Sequence, residues 1–195
     1  MRVRVLTAIL VGTVLAFGWG AVSWTSGLYD AAFKPLPGGG EIAAQIDAAT
    51  AGGDGAFIHP APPQVADLND QQRAIAQDAY AAEHRKGPLV MALVRRQGVD
   101  PMSANVLVRG FVLEFFCVSL LAAVMALAAR YGMRVQHRLV LAVFIPLFAV
   151  MGTHAVDWNF LHLPDGYAIA LFVDGLVAWL LAGVACALII SPRKD

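Results

Sequence analysis

Four runs of apolar residues divide the chain: Val5 to Val22, Val106 to Ala129, Leu139 to Thr153 and Tyr167 to Ile190. A helix needs about 20 apolar residues to cross roughly 30 Å of hydrocarbon. Three runs reach that length. The third is short, but His154 to Trp158 extends it through the interface. It contains Pro146, which lacks a backbone donor and predicts a kink. The fold expected is mainly α: a four-helix transmembrane bundle with a small periplasmic α/β insert between helices 1 and 2. Helix 1 occupies 1–24, a linker and the insert 25–105, and helices 2–4 lie within 106–195, at about 106–129, 139–156 and 167–190.

The long polar stretch has its own pattern. Ser26 to Gly40 is rich in Gly and Pro and reads as a linker. Its three glycines, Gly38 to Gly40, lack the Lys and Ser/Thr that a phosphate-binding loop needs. Glu41 to Ala49 forms a short helix with Ile42 and Ile46 on one face. Ala56 to His59 and Leu89 to Arg96 are strand candidates, in parallel or antiparallel pairing. Between them, Asn69 to Lys86 predicts a helix with Asn69 as cap and Gln72 completing a capping box. Gly87-Pro88 ends it. A unit of about 55 residues is marginal as an independent core. Asp100 and Pro101 predict the cap and first position of the second span.

The first run admits two readings. Ala21-Val22-Ser23 after a basic start resembles a signal-peptidase site. However, Ala8, Gly12, Ala16 and Gly20 recur every four residues, which puts small side chains on one stripe suited to close helix packing. The run is therefore read as a retained span.

Composition strengthens the membrane reading. Only 14% of residues are charged, against about 25% in soluble domains. The formal net charge is zero, so no basic surface for nucleic acid is expected. Cys117 and Cys186 both lie in apolar runs and offer neither a disulfide framework nor a cysteine zinc site. Arg2, Arg4, Arg130, Arg134, Arg138, Arg193 and Lys194 flank the spans on one side, while His154 to Gly166 has neither Lys nor Arg. The positive-inside rule then puts both termini in the cytoplasm and the insert outside. Trp19, Trp24, Trp158 and Tyr167 near the outer ends agree with this.

Charges within the runs are the sharpest chemical signal. Arg109, Glu114 and Asp174 sit in otherwise apolar segments, and such residues usually face a protein interior or a wet cavity. Glu114 lies roughly 12 Å and Asp174 roughly 10 Å along their helices from the outer ends. Span three ends near the same level, at His154 and Asp157. These five residues are read as one polar centre in the outer half of the bundle. Asp174, Ala178, Ala182 and Cys186 share a stripe. Arg109 is expected to pair with Asp174 or Asp157 across helices, or to reach the interface along its stem. The centre admits a structural ion-pair layer, a proton or cation path, a carboxylate catalytic pair, or a lipid or protein ligand.

His154-x-x-Asp157 and His162-x-x-Asp165 repeat one spacing, and their donors suit a divalent metal such as zinc. Asp165-Gly166 and Pro164 equally describe an ordinary turn, so no cofactor is assigned. His59 and His84 read as surface residues. No pair of histidines at matching depth suggests haem.

Gly55-Ala-Phe-Ile-His-Pro60, Lys86-Gly87-Pro88 and Arg96-Gln-Gly-Val-Asp-Pro-Met102, with the Asp-bearing last span, resemble an uncharacterised family of bacterial four-span inner-membrane proteins. The resemblance implies a multi-pass inner-membrane topology with a periplasmic insert after the first span, and no activity. The expected role is a non-enzymatic accessory or binding protein in the lipid bilayer, contacting an envelope partner. The alternative is a small proton- or cation-coupled transporter using Glu114 and Asp174. Four spans make a small pathway, so transport would call for a homo-oligomer.

Overall fold

The computed structural model describes residues 2–30, 32–50 and 53–191. Four of its helices are long and apolar enough to cross a membrane: Arg2–Thr25 (α1), Ala104–Arg130 (α4), the continuous stretch Val135–Leu161, and Asp165–Ile189 (α7). The third combines α5 (Val135–Val150), a π-helical turn (Met151–Ala155) and α6 (Val156–Leu161). The intervening chain supplies α2 (Gly39–Ala49), β1 (Gly55–His59), α3 (Asp70–Lys86) and β2 (Val90–Val94). Two compact units result. One comprises 1–34 with 100–195, the other 35–99.

In the first unit the helices alternate in direction. Arg4 of α1 donates to Ser191 Oγ just past α7, while Trp19 Nε1, near the other end of α1, donates to the Asp174 carbonyl. Phe17 meets Phe111 of α4 edge to face at 5.5 Å. α7 packs against all three of the other spans. The core is built from small residues: Ala8, Ala16, Ala122, Ala142, Ala182 and Cys186 are all buried. Large apolar side chains such as Leu113, Phe116, Leu120, Phe144 and Phe148 point outward. In water this distribution would leave much of the hydrophobic surface exposed. In lipid it is the expected one, because helix association there rests on close approach of small residues rather than on hiding large ones. The arrangement is compatible with a multi-pass membrane protein.

Two glycines set the helix spacing. A Cβ on Gly12 would come 2.8 Å from Val118 Cγ1 and 3.5 Å from the Ala182 carbonyl oxygen. A Cβ on Gly183 would lie 3.1 Å from the Ala142 carbonyl oxygen. That carbonyl is four residues before Pro146, which has no N–H to offer it. The proline thus leaves a bare carbonyl, and the side-chain-free surface of α7 covers it. α1 takes part in this packing along the stripe Ala8, Gly12 and Ala16, as a member of the bundle.

The turn between α4 and α5 is short. Gly132 has φ 79°, Gly132 N–H donates to the Ala129 carbonyl at 3.1 Å, and Met133 N–H donates to Ala128 at 3.0 Å. This pair of bonds is a Schellman ending, which needs a residue that tolerates positive φ.

The Arg-rich loop does not hold all of its arginines in solvent. Arg138 lies inside α5 and is only 2% exposed. Its guanidinium donates to the carbonyls of Met133 (2.6 Å), Ala187 (3.0 Å) and Ile190 (2.6 Å). The last two belong to the C-terminal turn of α7, whose carbonyls have no partners within their own helix. A cation at that end is also favoured by the helix dipole.

In the second unit β1 and β2 pair antiparallel, from Gly55 opposite Val94 to His59 opposite Val90. α3 carries the capping box read from Asn69 and Gln72, with both reciprocal bonds formed. Arg96 ties β2 to α2. It forms an ion pair with Asp47 at 3.2 Å and donates to the carbonyls of Asp47 and Thr50, both at 2.8 Å. Asp100 does not cap α4. Its side chain accepts from Met102 N–H at 3.0 Å, closing a tight turn, and Ser103 takes the cap position.

Candidate functional site

Asp174 sits on α7 in the half of the bundle opposite Arg138. One carboxylate oxygen, Oδ2, accepts from Tyr29 Oη at 2.5 Å. The other, Oδ1, is buried and has no hydrogen-bond partner among the described residues. Glu114, projecting from α4, also has a buried oxygen, Oε2, without a partner among them. α4 and α7 pack against each other, and each carries one of the expected acids with a buried acceptor oxygen that has no partner among the described residues.

Tyr29 was not foreseen. It lies in the stretch read as linker and is 7% exposed. Trp24 stacks on it with ring centroids 4.4 Å apart, Phe33 lies 5.7 Å away, and Phe33 meets Tyr167 edge to face at 5.5 Å. These rings cap the end of the bundle over Asp174. Gly27, with φ 81°, turns the chain back after α1 so that Tyr29 can reach the acid. Burial, and secondly the Asp174 carboxylate beside it, push the Tyr29 phenol well above its ordinary ionisation range. The only sequence signal was the aromatic spacing Trp24, Tyr29, Phe33 in an otherwise Gly- and Pro-rich segment.

The other expected members are placed differently. Arg109 is exposed, and no ion pair with Asp174 or Asp157 forms among the described residues. Five residues from Glu114, it points about 140° away around the helix. The structure thus favours the outward reach of its stem over the cross-helix pair. His154 packs on α7: a Cβ on Gly175 would lie 3.5 Å from its Nε2. It therefore stands beside the residue that follows Asp174. Asp157 is exposed on α6.

The His-x-x-Asp repeat does not assemble a metal centre. Among the described residues no group of three or more His, Cys, Asp or Glu side chains is arranged to hold an ion. Asp165 Oδ1 instead accepts from Trp158 Nε1 at 2.9 Å. His162 takes a left-handed conformation, φ 52°, and ends α6. His154 lies within the π turn and Asp157 in the regular helix beyond it, so the two do not follow one regular helical repeat.

Residues that carried the family resemblance have structural duties. Gly87 (φ 63°) closes α3, Arg96 clasps α2, and Asp100 makes the turn before α4. Comparison with family models, curated proteins and solved structures finds no match.

Proposed function

We propose that this chain is a non-enzymatic accessory protein of a bacterial inner membrane, whose insert docks on a protein partner in the envelope. Both termini are then cytoplasmic and the insert periplasmic, in keeping with the Arg/Lys pattern. One observation carries the reading: the insert does not cover its own apolar surface. α2, α3 and β1 contain no buried residue, and β2 has three exposed and two half-buried residues. By register, Phe57 and Val90 lie on one face of the sheet and Ile58, Met91 and Leu93 on the other, and all five are exposed. Two-stranded sheets are marginal alone, and exposed apolar patches mark interaction sites. The test is crosslinking and co-purification from native membranes, comparing the unaltered chain with Leu93→Asp and Ile58→Asp. The expected result is a specific partner lost from both variants at unchanged yield. Recovery of the same proteins with all three chains would overturn the reading.

The unpartnered oxygens of Glu114 and Asp174 favour a second reading, proton or cation movement through a bundle or its oligomer. Membrane acids commonly mark such paths. Asp174→Asn and Glu114→Gln in liposomes separate the two: abolished flux at intact folding supports transport, and absence of any flux in the unaltered protein excludes it.

A further inference from the structure

Where α6 turns into α7 the bundle leaves a groove of about 340 Å³. His154 and Trp158 line one wall, from the π turn and α6, and Ile169 and Phe172 of α7 line the other. Ala155 and Ala168 complete the apolar lining, and the exposed Asp165 adds a carboxylate. His154 and Ala155 belong to the π turn at Met151–Ala155. Such turns occur frequently at functional sites. The crossing Val135–Leu161 is 27 residues long, or about 40 Å. This exceeds the hydrocarbon thickness, so α6 reaches headgroup level. The indole of Trp158, apolar with one polar edge, suits that level. Its N–H is committed to Asp165 Oδ1, which fixes the carboxylate at the mouth and leaves its other oxygen as an acceptor. From Met151 to Gly166 the chain holds Asp157 and Asp165 and no Lys or Arg.

An apolar trough with an acidic rim complements a molecule with a hydrocarbon tail and a cationic, N–H-donating head. We propose that this groove is a binding site for one phospholipid with a primary-amine headgroup, its acyl chain along Ile169 and Phe172 and its ammonium at Asp165. The site lies wholly within the bundle and does not depend on any partner of the insert.

The experiment is native mass spectrometry of the full chain in micelles containing phosphatidylethanolamine, phosphatidylcholine and phosphatidylglycerol in equal amounts. The expected result is one retained lipid, with phosphatidylethanolamine preferred. Asp165→Asn keeps an acceptor for Trp158 but removes the charge, and lowers that preference about threefold, as an exposed ion pair should. Ile169 is 61% exposed, so Ile169→Trp fills the trough without disturbing the core, and it removes the adduct. Equal retention of the three lipids by the unaltered chain, or preference for phosphatidylglycerol, overturns the proposal without any variant. Survival of the adduct in Ile169→Trp also overturns it, because the lipid then lies elsewhere.

Discussion

The bundle and the insert each use an arginine to close the C-terminal end of another helix, yet the two arginines live in opposite surroundings. Arg138 is buried and serves three carbonyls from α7 and the preceding turn. Arg96, whose side chain is 37% exposed, serves two carbonyls of α2 and the carboxylate of Asp47. Water can replace Arg96 at the exposed Asp47 contacts, though the Thr50 carbonyl is partly buried. Nothing of the kind can replace Arg138, because unpaired carbonyls and a bare guanidinium are both costly away from water. The same hydrogen bonds are therefore largely optional in one unit and obligatory in the other.

The largest effect expected follows from that contrast. Arg138→Met leaves the carbonyls of Ala187 and Ile190 without this donor, and should cost about 1–3 kcal/mol for each buried carbonyl left unsatisfied. The measurement is yield and thermal unfolding in detergent. Arg138→Lys should recover only part of the loss, since one ammonium cannot span carbonyls served by a planar fork. Wild-type stability in either variant would show that the clasp is dispensable.

Next is Gly183→Ala. The new methyl meets backbone at 3.1 Å and 3.3 Å, so α5 and α7 must separate. The expected cost is about 1–3 kcal/mol, as for other overpacked cores. Gly12→Ala should cost a comparable amount, because its methyl would meet Val118 Cγ1 at 2.8 Å on a buried, rotationally stiff side chain. No loss in either variant would mean that the helices slide apart readily.

Tyr29 sharpens the comparison by pH. Its phenol ordinarily ionises near 10.0 and is raised in the fold. A raised folded value means that the neutral form is the one the fold stabilises. Its contribution is complete below pH 10 and declines as pH climbs through the folded value. Absorbance titration should show one phenol, absent from Tyr29→Phe, that stays neutral above the ordinary tyrosine value of 10.0. Asp174→Asn removes the charge but not the burial, so the delay should shrink without vanishing. A Tyr29 that ionises at the ordinary tyrosine value would mean that the cap is open.

The smallest effect is Arg96→Ala, at most about 1 kcal/mol for an exposed pair. It should loosen α2, measured by amide exchange over Gly39–Ala49, and leave the melting of the bundle unchanged.

What could be read along the chain divides by range. The spans were legible because a run of apolar residues has one physical use at that length. The ends of α3 were legible because a capping box involves only neighbours. Glu114 and Asp174 stood out because a carboxylate amid Leu and Val demands a reason. Tyr29 and Arg138 did not stand out. Tyr29 reaches across 145 residues from a segment with no periodicity. Arg138 borders a loop with Arg130 and Arg134, and nothing in their spacing says which one turns inward. Arg109 showed the reverse failure: its depth was legible, but its direction outward depended on where the neighbouring helices stood.

The π turn has a consequence for anyone comparing this chain with another by position. It acts as one surplus residue in an otherwise regular rod, so everything beyond it is out of phase by about 100°. Removing Gly152 alone should restore the phase, swing the indole of Trp158 away from its carboxylate, and turn a different side of Val156–Leu161 toward the last helix. A change in Trp158 fluorescence with the rest of the molecule intact would register that rotation.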